Sequence, residues 1–101
     1  MTHLNAKHPF MHLLKFGPPF PLKPEQWARV SEKMRLSPRQ ARIVELVLRD
    51  LSTKQIAYVM GIGEPTIKTH LERIGVRTRT RGRIQLAMRV MEISHDRRRQ
   101  S

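Results

Sequence analysis

The sequence contains no cysteine. Disulfide bridges, thiol nucleophiles and cysteine-ligated zinc are therefore excluded, and a reducing cytoplasm is a compatible location. No apolar run approaches the ~18 residues of a membrane span. The N-terminus has scattered His and Lys in place of the continuous apolar stretch of a signal peptide. There is no carboxylate pair with a plausible cleft and no phosphate-cradling loop. Catalysis, a cofactor and a bound metal are accordingly not expected. Acidic residues are scarce: 8 Asp and Glu stand against 20 Lys and Arg, for a formal net charge of +12. Such an excess implies a polyanionic partner, since solubility is reached with far less bias. No long helix pairs a basic face with an aromatic one, so nucleic acid fits better than a membrane or an acidic protein. The 101 residues suffice for one small domain with appendages and a modest core that dimerisation could supplement.

What is present begins with a Pro-rich arm over residues 1–23. Pro9, Pro18, Pro19 and Pro21 oppose helix, yet Phe10, Leu13, Leu14, Phe16 and Phe20 make the arm more apolar than a linker. It reads as a flexible tail, a packing arm or a DNA-tracking arm. His3, His8 and His12 do not make a metal site, because Pro9 interrupts the helix that would align two of them and no carboxylate stands nearby. The domain proper is expected over 24–94. Residues 24–35 read as a helix with Trp27, Val30 and Met34 on one face. Residues 36–51 read as a second, with Ser37 as its cap, Pro38 in its first turn, and Ile43, Val44, Val47, Leu48 and Leu51 as its stripe.

The most informative stretch is Thr53 to Arg73, TKQIAYVMGIGEPTIKTHLER. Thr53 can cap a helix whose stripe is Ile56, Ala57 and Met60, and Gly61 can end it in the left-handed conformation. Ile62 can pack under the turn. Gly63 precedes a second helix with Glu64 and Pro65 in its first turn. Ile67, Leu71 and Ile74 share its buried face, which leaves Thr66, Lys68, Thr69, Glu72 and Arg73 on a polar one. Helix, glycine turn and helix form a helix-turn-helix signal, although helical bundles also contain such hairpins.

LSPRQARIVELVLRDLSTKQIAYVMGIGEPTIKTHLERI resembles the LuxR-type (GerE-like) helix-turn-helix family. The residues that carry the likeness are Leu36-Ser37-Pro38-Arg39, Ile43, Leu51-Ser52-Thr53-Lys54, Ile56-Ala57, Met60-Gly61-Ile62 and Thr66 to Leu71. The resemblance implies an all-α bundle that binds DNA, standing alone without a receiver domain. Three departures stand out. Gln40 replaces the family's usual Glu, and Asp50 its usual Gly. After Ile74, Gly75-Val76-Arg77-Thr78-Arg79-Thr80 resembles the family's turn four residues early. Counting without a gap instead places Gly75 inside the helix and Arg81-Gly82-Arg83 at the turn. The recognition helix then runs over 64–74, or to 78 in the gapless count, which is the preferred one.

In this reading Thr53 and Lys54 meet phosphates while the Glu64 helix enters the major groove. Lys68 donates to guanine, Thr69 meets a thymine methyl or an acceptor, and Glu72 accepts from cytosine or pairs with Lys68. Arg73, Arg77, Arg79, Arg81 and Arg83 bind phosphate. Residues 82–94 form a last helix with two stripes, Ile84-Ala87-Met88-Met91 and Leu86-Val90-Ile93. In LuxR-type domains this helix is the dimer contact. Leu86, Val90 and Ile93 are expected to face the partner chain, unless the arm or the Trp27 helix covers them. On that expectation Leu86→Glu or Val90→Glu gives a folded monomer. Residues 95–101 read as a basic tail. The function implied is a cytoplasmic, nucleoid-associated, sequence-specific transcription regulator of double-stranded DNA, as a homodimer. The alternative is a sigma-region-like or adaptor module that binds RNA polymerase or another regulator.

Overall fold

A computed structural model describes residues 20–96; the rest of the arm, with its three histidines, and residues 97–101 of the tail lie outside the described residues. Five helices follow one another: α1 (Pro24–Lys33), α2 (Pro38–Leu48), α3 (Thr53–Met60), α4 (Glu64–Thr78) and α5 (Gly82–Ser94). No strand occurs among the described residues, so the expected all-α class is the observed one.

The helix starts follow from local chemistry. The Ser37 hydroxyl accepts from the Gln40 amide at 3.1 Å, and Gln40 Oε1 accepts in return from the Ser37 amide at 3.2 Å. Ser52 and Gln55 make the same reciprocal pair ahead of α3, at 3.1 and 2.8 Å. Ser52, not Thr53, is therefore the cap of α3. A capping box needs a Glu or Gln three residues on; Ser52 finds Gln55 there, while Thr53 would find Ile56. Gly63 enters α4 in an extended conformation, with Pro65 in the first turn.

The helix exits share one device. At each of four, a residue with positive φ is followed by an amide that bonds back to a carbonyl five residues earlier. The positive-φ residues are Arg35, Asp50, Gly61 and Arg79. The bonds are Leu36 to Ser31 (2.9 Å), Leu51 to Leu46 (3.1 Å), Ile62 to Ala57 (3.2 Å) and Thr80 to Gly75 (2.9 Å). Only one of the four carries glycine, so three exits hold a side chain where the left-handed conformation disfavours one. Asp50→Gly should relieve that strain and stabilise the domain by about 0.5–1 kcal/mol. A rise in the urea midpoint at constant slope would show it; a fall would mean that the Asp50 side chain stabilises the exit.

The apolar faces meet in one core. Val30 enters it from α1 and Met34 from the residue that caps it, Ile43, Val44, Leu46 and Val47 from α2, and Ile56 and Ala57 from α3. Ile67 and Ile74 come from α4, and Leu86 and Val90 from α5. Leu46, absent from the expected stripe, is fully buried, so α2 is surrounded on more than one side. Packing extends ahead of Pro24. Leu22 is buried, and Phe20 stands edge-on to Trp27 at 5.4 Å with the Arg49 guanidinium 5.1 Å over its ring. Trp27 is thus a packing residue.

α5 corrects the expected dimer stripe. Leu86 is 4% exposed, Val90 is fully buried, and Ile93 is half-buried against the core. α5 rests on α1, α2 and α4, so the helix carrying Trp27 helps cover the stripe assigned to a partner. The opposite face is open: Ile84 is 77% exposed and Met88 66%. Both stripes are apolar in sequence; the packing of α1, α2 and α4 on α5 decides between them. No helix among the described residues is long and apolar enough to cross a membrane.

Candidate nucleic-acid interface

α3 and α4 form the helix-turn-helix, joined by Gly61, Ile62 and Gly63. Gly61 has φ of 70°, and Ile62 is half-buried against the core, so the turn is built as its residues suggested. α4 buries Ile67 and Ile74 and half-buries Leu71, which fixes the side it turns outward. Pro65, Thr66, Lys68, Thr69, Glu72, Arg73 and Val76 are exposed on that side. His70 is half-buried, with its Nδ1 shielded from solvent, on the flank of the helix.

α4 continues unbroken through Gly75 to Thr78, as the gapless count required. Its 15 residues span about 22 Å. The chain leaves through Arg79 in the left-handed conformation, with φ of 58°. Buried Thr78 holds this end, its hydroxyl donating to the Ile74 carbonyl at 2.8 Å and meeting the Thr80 hydroxyl at 3.0 Å. The turn that follows swings back beside the helix. A wide groove results, lined among others by Lys68, Glu72, Arg73, Val76, Arg79 and Arg81. Most of the α4 and turn residues singled out in the sequence therefore share one surface. Thr53, Lys54, Thr66 and Thr69 do not line that groove.

The basic side chains fall into two groups. Arg77 donates through Nη1 to the Arg35 carbonyl and to Gln40 Oε1, the latter at 3.1 Å. Arg83 donates to the Leu51 carbonyl and, at 3.4 Å, to the Thr53 hydroxyl. Arg89 donates to the Thr78 carbonyl at 2.7 Å. Arg77 and Arg89 thereby close the exits of α1 and α4, where unpaired carbonyls and the negative end of the helix dipole favour a cation, while Arg83 ties down the link between α2 and α3. Arg77 and Arg83, expected to bind phosphate, thus also serve as clamps, Arg77 through Nη1 alone while it stays exposed. The sequence could not show this, because the carbonyls they meet lie 42 and 32 residues away. Lys54, Lys68, Arg73, Arg79 and Arg81, by contrast, are exposed and form no ion pair among the described residues. Lys68 and Glu72 do not pair with each other, although their spacing allows it.

Gln40 is buried, and its one carbonyl oxygen serves both the Ser37 cap and the Arg77 clamp. Thr69 donates its hydroxyl to the Pro65 carbonyl at 3.0 Å, which commits its donor to the helix backbone.

A surface of unpaired cations around an outward helix face, carried on two helices joined by a glycine turn, is chemically suited to the phosphates and base edges of duplex DNA. Comparison with curated proteins and with solved structures finds no match. Residues 34–90, more than half of the chain, match the family model of bacterial regulatory proteins, luxR family, and the chain accordingly belongs to that family of DNA-binding helix-turn-helix regulators.

Proposed function

We propose that the protein regulates transcription in the cytoplasm, associated with the nucleoid, by binding a specific duplex DNA site as a dimer, with α4 in the major groove. The observation that carries this reading is the set of unpaired cations, Lys68, Arg73, Arg79 and Arg81, on one surface with the outward side of α4. Lys68 donates to guanine O6 or N7, and Glu72 accepts from cytosine N4. Thr66 stands on the same outward side, at the base edges or the adjoining phosphates. With its hydroxyl already bonded to Pro65, Thr69 offers its methyl to a thymine. Lys54, in the first turn of α3, meets phosphate, where free amides add to its pull and the neighbouring Thr53 hydroxyl is within reach. Arg73, Arg79 and Arg81 bind the backbone and set affinity rather than sequence choice.

The family's dimer contact lies on the last helix. The open Ile84 and Met88 face is the surface of α5 that offers apolar area for it. Dimers would place two copies of α4 about one helical turn of DNA apart.

Titration of selected and random duplexes at two salt concentrations tests the reading. Two chains on a two-part site, with a steep salt slope, are expected. Weak, uniform binding by one chain per short site would sink it. Such a result would favour an adaptor that uses the Ile84 and Met88 face on RNA polymerase or another regulator. Lys68→Ala should cost ~1–3 kcal/mol at the contacted base pair and relax preference there. Arg79→Ala should weaken every sequence alike and lower the salt slope by about one. Unchanged preference in the first variant, or a base-specific loss in the second, would reassign these residues.

A further inference from the structure

Val76 is 82% exposed, the most exposed large apolar side chain among the described residues. The unbroken course of α4 places it on the helix itself, four residues past Glu72 and seven past Thr69. At those spacings the three side chains form one strip along the outward side. Val76 also lines the groove with Lys68, Arg73 and Arg79. Cations there serve phosphates and Glu72 can accept from a base, but an isopropyl group does neither.

We infer that Val76 reads the 5-methyl group of a thymine in the major groove. This rests on the placement of α4 in that groove. Thymine is the base that presents a methyl group there, and apolar side chains are its natural contact. The flanking cations Lys68, Arg73 and Arg79 argue for DNA rather than a second protein chain as the occupant, since they match the field of a duplex. Position follows from length. Four residues of helix advance about 6 Å, against about 3.4 Å for each base pair, so the thymine stands about two base pairs beyond the pair facing Glu72. It lies on the side away from the pair facing Thr69. Val76 therefore adds a specificity contact in the last turn of the recognition helix, one that becomes available because the helix does not end at Ile74.

The test titrates the full chain and its Val76→Ala variant against the selected duplex. Each is also titrated against duplexes in which one thymine at a time is replaced by deoxyuracil, which lacks only the methyl group. Val76 does not contribute to the core, so the variant should melt with the parent protein. One replacement, in the predicted window, should weaken the parent about three- to fivefold, the worth of one buried methyl. The same replacement should leave Val76→Ala nearly unaffected, while all other replacements act equally on both proteins. If every replacement acts equally on both, the inference falls, while a Lys68→Ala change in preference would leave α4 in the groove. A selected site without thymine in that window also overturns it. Absence of any sequence preference in the parent protein overturns both readings, and so tells the two failures apart.

Discussion

Val90→Glu unfolds this domain, whereas Met88→Glu leaves it folded. The two positions lie two residues apart on one helix and carry side chains of similar hydrophobicity. Their surroundings are opposite: Val90 is fully buried in the core and Met88 is 66% exposed. A carboxylate at 90 would sit between α5 and the helices it packs on, with no cation among the buried residues to pair with it. Several kcal/mol of desolvation would be lost, together with the apolar burial of valine. A domain of this size holds about 5 kcal/mol or little more in total. Circular dichroism of Val90→Glu should therefore show a largely unfolded chain at 25 °C. A cooperative melt within a few degrees of the parent protein would mean that α5 does not pack as described. Met88→Glu should keep the parent melting curve. If the open face of α5 joins two chains, it should also sediment as a monomer and lose most of its affinity for a two-part site. Normal dimers of Met88→Glu would move the contact elsewhere.

The second large effect is at Gly75. An alanine there should destabilise the domain by about 1–3 kcal/mol, although alanine is favoured over glycine inside a helix by about 1 kcal/mol. The reason is the return of the chain after α4. A Cβ on Gly75 would lie 2.9 Å from the backbone oxygen of Thr80, closer than such atoms come, and the obstacle is main chain rather than a flexible tip. The Thr80 amide meanwhile donates to the Gly75 carbonyl at 2.9 Å, so the two residues cannot separate without breaking the exit of α4. The strain would be released by shifting Arg79 and the turn behind it, which carries Arg81 in the proposed phosphate surface. Gly75→Ala should accordingly lower the melting temperature and weaken DNA binding together. A variant more stable than the parent, following the ordinary propensity scale, would show that the turn gives way freely.

Local chemistry made much of the molecule legible before any coordinates. Ser37, Pro24, Pro38, Gly61 and Pro65 act within a few residues of themselves, so the starts of three helices and the turn between α3 and α4 could be read directly. The spacing of Ile67, Leu71 and Ile74 set which side of α4 faces inward, and hence which residues face out. The family likeness over the same stretch followed from those residues. Tertiary structure alone decided the rest, because the deciding partners are distant in the chain. Gly75 looked like a helix stop in one register and a flaw in the other; its contact with Thr80 makes it a requirement of close approach. The two stripes of α5 both read as candidates for the core until α1, α2 and α4 were laid against one of them. Arg77 and Arg83 read as free cations until the carbonyls of Arg35 and Leu51, brought near by folding, were seen to hold them. Helix, cap and turn are set by interactions over three to five residues, which a sequence displays. Which apolar face is core, and which arginine is free to meet a phosphate, depend on contacts across tens of residues, which it does not.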